Sequence, residues 1–547
     1  VTTPTFNLAD LFEIVADAVP DRECLVCDTR RLTYRRLEER SNRLAHALAA
    51  RGVGPGDHVG LHLSNGTEYL ESMLAAFKLR AVPVNVNYRY VAEELRYLLT
   101  DADVVATVVH RAFVATLSQV VDDLPRLRAA IVVEDGTGPD EGAGALGPGL
   151  ARLDPTEYEA ALAAASPARD FATRSPDDRY ILYTGGTTGM PKGVVWRQED
   201  AFFAAFGGGN PGGPPVATPG ELAGKCLDGR VRSLPASPFM HGTAHWVALA
   251  ALYGGGTVVV CPDRHFDAER LWRLVAREQV SFLTIVGDAF GRPMADALRT
   301  LGGELDVGCC RVILSGGAIL SPSTKHALAE LLPGTLIVDG YGASETGGQG
   351  QGITAAGAPA SGPRFTVNDE TAILDEDLRP VSEPGVVGRL ARRGHVPLGY
   401  HGDPEKTAAT FPVIDGERWA VPGDFAVLET DGTITMLGRG SVSINTGGEK
   451  VYPEEVEAVL KGHASVVDAV VVGVPDDRWG ERVVAVVQAV DGTAPTLDDL
   501  VRHARDSLAG YKLPRELVLV DTVQRAPSGK ADYRWAREIA RESLTPR

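Results

Sequence analysis

"YILYTGGTTGMPKGVV", residues 180–195, runs from an apolar stretch into a Gly/Thr-rich loop with a single lysine and out into a second apolar stretch. Glycines in such a loop let backbone N–H groups close around an oxyanion, so the loop raises the question of which phosphates it holds. The Walker A loop, G-x-x-x-x-G-K-[ST], does not fit. Lys192 follows Pro191 and precedes Gly193, so the Gly-Lys-Ser/Thr corner that opens a helix and ligates magnesium is missing.

On both sides of this stretch, β-prone pieces alternate with helical periodicity. "HVGLHL", "AVPVNV", "VVATVVH", "TVVVC", "SFLTIVG", "RVILSGG" and "TLIVDGYG" follow one another between about residues 58 and 342. The alternation predicts parallel sheets with crossover helices, and many of these strands end in glycine or small polar residues, where open α/β sheets place ligands. Residues 8–50 read as helical: "LADLFEIVADAV" and "RLEERSNRLAHALAARG" space their apolar residues by three and four, the second closed by Gly52. "GTGPDEGAGALGPG" (136–149) reads as an exposed excursion. "GGGNPGGPPVATPG" (207–220) reads as a mobile flap or a disordered connector.

After residue 380 the pattern turns to short strands and turns. A last unit begins near 441: helix "PEEVEAVLKG", strands "VVDAVVVGV" and "RVVAVVQAV", helix "TLDDLVRHARDSL" and strand "RELVLVD". This is an α+β domain of ordinary small size. No internal repeat is visible, and the boundary falls at "GRGSVS", residues 438–443.

A chain of 547 residues is too long for one hydrophobic core. Its net charge of −18 argues against a nucleic-acid surface, so a polyanionic ligand has to be held by local N–H groups and a few cations. Six cysteines do not make a disulfide framework: Cys24 and Cys27 have C-x-x-C spacing without a second pair, and Cys309 and Cys310 are adjacent. They are expected to be thiols in a reducing cytoplasm. No signal peptide is expected at the start, and the longest apolar stretch, "WVALAALYGGGTVVV", is too short and glycine-broken to span a membrane.

Further clusters gain meaning together. "YGASETGG" (341–348) sets an aromatic, glycines, hydroxyls and Glu345 on an expected turn after "TLIVDG". Alone Glu345 is a surface acid, but Mg²⁺ on a triphosphate takes one or two carboxylates beside phosphate oxygens. Asp424 stands in a Gly-Asp corner, where it is either a plain turn residue or an acceptor for ribose hydroxyls. Arg439 in "LGRG" either bridges ribose and phosphate or makes a surface ion pair. Lys530 in "RAPSGKADYRW" is an ordinary loop lysine unless it enters a phosphoryl site, where it would stabilise charge developing at an attacked α-phosphate.

In this order the clusters resemble the AMP-forming adenylating superfamily of acyl-CoA synthetases, peptide-synthetase adenylation domains and beetle luciferases. The resemblance covers about residues 8–535 and rests on five spaced motifs: "YTGGTTGMPKG", "PFMHG", "YGASE", the Gly423-Asp424 and Gly438-Arg439 pairs, and "PSGK". It implies an α/β fold with a large N-terminal domain of parallel and mixed sheets, helices and a small β-rich subdomain, and a small mobile α+β C-terminal domain. The expected divisions are 1–438, a hinge at 439–441, and 442–547.

The same resemblance implies roles. Thr184, Gly185, Gly186, Thr187, Thr188, Gly189 and Lys192 would cradle the β- and γ-phosphates of ATP. Tyr341 would stack on adenine against Gly316, Gly317 and Ala318, with Asp339 near the base edge and Gly340, Gly342 and Ser344 lining the nucleotide. Thr187 and Glu345 would organise Mg²⁺, Asp424 the ribose hydroxyls, and Arg439 the ribose side. Lys530 would close over the site during adenylation. In the family a carboxylate attacks the α-phosphate, expels pyrophosphate and becomes an acyl-AMP, and a thiol then displaces AMP. Rotation of the small domain between these steps withdraws the lysine and brings the segment around Gly448 to the thiol channel. This chain departs from the pattern at Ser441, where relatives commonly carry Asp or Lys; a Gly-Ser hinge is permissive.

His241 in "PFMHGTAHW" matches the family's aromatic-or-histidine position at the floor of the acyl pocket, and His245 lies four residues on. A metal pair is disfavoured because no third ligand is evident. The expected lining, "VGDAFGRP" (286–293), Gly316-Gly317 and Gly342-Ala343, is rich in small residues and leaves room for a bulky or long apolar acid. Asp288 could imitate the aspartate that amino-acid adenylation domains offer to an amine. "YTGGTTGMPKGVVWR" and "INTGGEKVYPEEVEAVL" are most similar to actinobacterial fatty-acyl and steroid side-chain acyl-CoA synthetases. The expected activity is therefore an acid:CoA ligase using ATP, Mg²⁺ and CoA, with monomer and homodimer both open. Ligation to a carrier protein, aryl-acid ligation, nitrite activation, a luciferase-like oxygenation and a nucleotide-regulated binding protein without turnover remain open alternatives.

Overall fold

The computed structural model describes residues 4–136, 148–184, 190–210, 212–354, 364–446, 449–476, 480–505, 507–525 and 529–544. The chain divides into two compact units, one of residues 1–284, 344–347 and 395–411, the other of 285–343, 348–394 and 412–547.

In the first unit, strands β1 (Arg179–Thr184) and β2 (Lys192–Arg197) form an antiparallel pair at one side of a sheet. Beyond β1 the sheet continues through Val82–Asn85, His58–His62, Val104–His110, Ala129–Val133 and Thr156–Glu157, all parallel, as the alternating pattern requires. On the other side of β2 lies the short strand Gly399–Tyr400. The central strands read as unbroken apolar runs because both faces are covered; every residue of Val104–His110 is buried.

The helical expectation for residues 8–50 holds at Leu8–Ala18 and Tyr34–Ala49, capped by the side chains of Asn7 and Thr33. It fails between them. Glu23–Cys27 and Arg30–Thr33 form a hairpin whose turn places Asp28 at φ 50°, and Glu23–Cys27 runs parallel to Thr257–Val260. Residues 137–147 of the expected excursion lie outside the described residues. Within the 207–220 stretch Gly208 and Gly209 are buried, a Cβ on Gly209 would lie 2.4 Å from Leu222, and residues 212–215 are exposed.

In the second unit, strands β3 (Val312–Gly316) and β4 (Leu336–Ala343) are parallel. The strand reaches Ala343, so Tyr341 lies within β4 and not on the expected turn after it. The β-rich part pairs Arg364–Val367 with β6 (Ile434–Arg439), β6 with β5 (Asp424–Leu428), and β5 with Val387–Arg392, all antiparallel.

From Ile444 onward the described residues build a sheet around the hairpin of β7 (Val466–Asp476) and Gly480–Ala489. Ala469 and Val471 pack with helix α1 (Pro453–Leu460) and helix Leu497–Ala504, whereas Val470 and Val472 pack with helix Tyr533–Leu544. Two covered faces explain the uninterrupted valine runs. No disulfide joins the six cysteines, and burial raises the thiol of Cys27 to about 12. Among the described residues, no helix is long and apolar enough to cross a membrane.

Candidate functional site

The expected site residues fall into two sets, one in each unit. In the first unit the β1–β2 register places Thr184 opposite Lys192 and Tyr183 opposite Gly193. Lys192 therefore opens a strand, where a Walker A lysine opens a helix. Gly185, Gly186, Thr187, Thr188 and Gly189 lie outside the described residues. The base of the loop is held firmly. Asn85 accepts from the backbone N–H of Tyr183 at 2.7 Å and donates to the carbonyls of Tyr183 and Met240, both at 2.8 Å. One buried amide thus joins the entry to the loop with the residue before His241. Tyr183 donates its hydroxyl to Asp101 at 2.7 Å, and a Cβ on Gly193 would lie 2.7 Å from its ring. The second residue of the strand is glycine because an aromatic ring occupies the space a side chain would need. Lys192 pairs with Asp403, whose carboxylate caps the helix Pro404–Thr410 and is held below its ordinary pKa chiefly by that lysine.

The Ser344–Gly347 turn belongs to the same unit. The indole N–H of Trp196, at the end of β2, donates to the Ser344 carbonyl at 3.1 Å, and the hydroxyl of Tyr400 donates to Glu345 at 2.8 Å. Tyr400 is itself paired with Val194 of β2. The carboxylate expected to organise Mg²⁺ is thus oriented from the short strand paired with the one that Lys192 opens. Tyr400, Trp196 and Asn85 have no motif of their own and were not legible beforehand.

His241 stands immediately before helix Gly242–Tyr253, its N–H donating to Pro238 at 3.0 Å; a Cβ on Gly242 would lie 2.9 Å from Leu182 of β1. His245 does not share its role. Its Nδ1 is 2.7 Å from the Phe239 carbonyl, which can only accept, so Nδ1 carries the proton and Nε2 accepts from Tyr180. Burial pushes His245 down to about 4, making it a neutral core residue. Among the described residues, no group of three His, Cys, Asp or Glu is arranged to hold a metal.

In the second unit, the register of β3 and β4 sets Ser315 opposite Asp339 and Gly316 opposite Gly340, at the carboxyl ends of parallel strands. Gly317 follows at φ 88°. The Ser315 hydroxyl accepts from the N–H of Gly287, which ties the start of helix Gly287–Leu301 to the glycine pair. Asp339 is ion-paired with the buried Lys325, a partner without sequence signature. Tyr341 lies half-buried, its ring 5.6 Å from that of Phe365, and Gly342 is exposed. Asp288 accepts from the N–H and hydroxyl of Ser321, which leaves its Oδ2 buried without a hydrogen-bond partner.

Asp424 and Arg439, fifteen residues apart, stand directly opposite each other on β5 and β6, and Arg439 Nε donates to Asp424 Oδ1 at 3.1 Å. Asp424 is 5 % exposed and its Oδ2 is buried without a hydrogen-bond partner. An unpaired buried acceptor is costly, and a sugar hydroxyl would satisfy it. Close approach selects glycine on both sides of Arg439: a Cβ on Gly438 would lie 2.2 Å from Glu454, and one on Gly440 would lie 2.6 Å from the Phe425 ring. Burial next to Asp424 and Glu457 raises the Glu454 carboxyl to about 8, despite hydrogen bonds from the backbone N–H groups of Glu454 and Arg439. Lys530 is exposed and follows the buried Gly529, which takes φ 79°. Gly448 lies outside the described residues.

The first set supplies a lysine and an oriented carboxylate. The second supplies glycines at the ends of parallel strands, an aromatic ring on β4, and a buried carboxylate with one unsatisfied oxygen.

Comparison with known proteins agrees. Residues 12–401 match the family described as AMP-binding enzyme, and residues 455–530 match the AMP-binding enzyme C-terminal domain. The chain is 48% identical over 542 residues to a 3-oxocholest-4-en-26-oate–CoA ligase of Rhodococcus rhodochrous, covering 97% of this chain and 95% of that one. It is 47% identical over 536 residues to a medium/long-chain-fatty-acid–CoA/3-oxocholest-4-en-26-oate–CoA ligase of Mycobacterium tuberculosis (strain CDC 1551 / Oshkosh), covering 97% and 96%. The fold is similar to that of the anthranilate CoA ligase AuaEII, solved in complex with anthranoyl-AMP. There the TM-score is 0.83 with 21% identity, over 100% of this chain and 99% of that one.

Proposed function

The chain belongs to the AMP-binding enzyme family, and we propose that it activates a fatty or bulky apolar acid, such as a steroid side-chain carboxylate, with ATP and transfers the acyl group to CoA. The observation that carries this reading is near-full-length similarity to ligases named for joining such acids to CoA. The acid attacks the α-phosphate and releases pyrophosphate, and the acyl-AMP then gives its acyl group to the CoA thiol with loss of AMP.

We assign the individual residues the roles that the family resemblance implies. Lys192 and the loop it closes hold the β- and γ-phosphates, and Lys192 exchanges Asp403 for them. Glu345, oriented by Tyr400, and Thr187 would hold Mg²⁺, which would neutralise phosphate charge when bound. Tyr341 and the Gly316–Ala318 backbone sandwich adenine, with Asp339, Gly340, Gly342 and Ser344 around it. The unsatisfied oxygen of Asp424 accepts from the ribose, and Arg439 holds Asp424 in place. His241 borders the carboxylate of the acid, Lys530 acts in adenylation, and Gly448 lies in the segment that serves the thiol step. Residues 1–438 form the adenylating part, 439–441 the hinge and 442–547 the mobile part. Six thiols without a disulfide support a reducing, cytoplasmic setting.

The test is pyrophosphate release from ATP and Mg²⁺ across fatty, steroid, aryl and amino acids and nitrite, each with and without CoA. Release with a fatty or steroid acid, with AMP and a CoA thioester appearing together, is the expected result. Release without thioester would move the acceptor to a carrier protein or an amine, and silence across the panel would refute the reading.

A further inference from the structure

We infer that Arg525 is a positioning residue for Lys530, clamping the backbone beside the lysine to strand β7; this rests on the adenylation role of Lys530 proposed above.

The clamp is built from one guanidinium used in two directions. Nε and Nη2 of Arg525 donate to the two oxygens of Asp468, both at 2.6 Å, while Nη1 donates to the carbonyl of Gly529 at 3.0 Å. Gly529 immediately precedes Lys530, and residues 525 and 531 form an antiparallel bridge, so the backbone is held on both sides of the lysine. Asp468 lies on β7, where its carboxylate also meets Lys461 at 3.3 Å and accepts from the N–H of Ala469 at 2.8 Å. These cations and donors outweigh burial and hold Asp468 at about 2, so it stays charged throughout the working pH range. Both partners of the pair are about 15 % exposed, which removes most solvent screening.

An ion pair that served stability alone would end at Asp468. The third donor, aimed at the backbone beside Lys530, is what a stabilising pair does not require. Gly529 makes that backbone geometry specific: it is buried, takes φ 79°, and a Cβ there would lie 3.0 Å from Val286. A lysine's long stem amplifies any tilt of its own backbone, and a misplacement of about 1 Å at a reacting centre costs about 10²-fold in rate. Asp468, Arg525 and Lys530 all lie within the segment proposed to move as one piece. The clamp therefore bears on adenylation and not on thioester formation.

The experiment compares Arg525→Ala, Arg525→Lys and Asp468→Asn with Lys530→Ala and the double variant Arg525→Ala/Lys530→Ala. Dodecanoate and 3-oxocholest-4-en-26-oate serve as acids. Adenylation is read as acid-dependent ATP–pyrophosphate exchange, and the second step as CoA thioester formation from the synthetic acyl-adenylate, which also reports folding. Arg525→Ala is expected to lower exchange by about 10²-fold and thioester formation by less than about threefold, with the double variant no slower than Lys530→Ala alone. Arg525→Lys, able to satisfy Asp468 or Gly529 but not both, falls between. Asp468→Asn, which keeps the shape and weakens the anchor, shows the same split and decides the matter if Arg525→Ala does not fold. Equal losses in both steps, or losses that multiply with Lys530→Ala, would overturn the clamp. Loss of exchange in Lys530→Ala but not in the Arg525 and Asp468 variants would overturn the clamp alone. Intact exchange in Lys530→Ala would overturn the Lys530 role and the clamp with it.

Discussion

Replacing Glu454 with glutamine removes one ionisable group at a place where ionisation is expensive. The carboxyl packs against Gly438, accepts from the N–H of Arg439, and has one oxygen buried without a hydrogen-bond partner, with Asp424, Glu457 and Tyr533 as its titratable neighbours. Its pKa rises from an ordinary 4.5 to about 8, mainly through burial. At 1.36 kcal/mol per pH unit, ionising it in place costs about 4–5 kcal/mol, an upper bound because local rearrangement admits water.

The sign follows from proton counts. Between pH 4.5 and 8 the native chain keeps a proton on Glu454 that the unfolded chain has lost, so stability falls as pH rises through this window and levels off above it. Glutamine imitates the neutral acid and removes this dependence. For a unit of this size about 1 kcal/mol moves the unfolding midpoint by about 2–4 °C, so the difference between wild type and Glu454→Gln should widen by about 10 °C from pH 5 to pH 9. Scanning calorimetry at several pH values reads it directly. Two midpoint curves that run parallel from pH 5 to pH 9 would refute the argument.

Other expectations concern the two sets of residues. Asp424→Asn should weaken ATP binding by about 10- to 100-fold, the worth of a charge-assisted hydrogen bond, as measured by calorimetric titration; unchanged affinity would remove Asp424 from the ribose. Asn85→Ala strands a buried N–H and two carbonyls and should cost about 2–4 kcal/mol in chemical denaturation while also slowing pyrophosphate release, since it loosens both the loop entry and the His241 segment. Glu345→Gln should raise the Mg²⁺ concentration needed for half-maximal pyrophosphate release by about tenfold without changing the unfolding midpoint, and an unaltered Mg²⁺ curve would argue against its metal role.

The fold was largely legible because long parallel strands buried on both faces write themselves as apolar runs. The hairpin Glu23–Thr33 was missed for the opposite reason: two strands of five and four residues sit between strongly periodic helices, and the turn at Asp28 has no Asn-Gly or Asp-Gly signal. Asp424 and Arg439 could be named from their motifs, but their facing each other depends on a register shift between Phe425 and Ala426 that spacing alone does not predict. Asn85, Tyr400, Lys325 and Asp468 carry no local pattern. Each earns its place by reaching a partner 55 or more residues away, except Lys325, whose partner Asp339 lies on the following strand. Such contacts are decided by topology.

The bond from the Trp196 indole to the Ser344 carbonyl gives the molecule an optical handle. Indole emission depends on the polarity and hydrogen bonding around its ring, and this ring is fully buried with its N–H directed at the residue before Glu345. Movement of that turn when phosphates or metal arrive would change the emission of a chromophore already in place. Among six tryptophans, Trp196 can be singled out by the signal lost in Trp196→Phe, so a change at this turn could be followed in a stopped-flow fluorimeter without any attached dye.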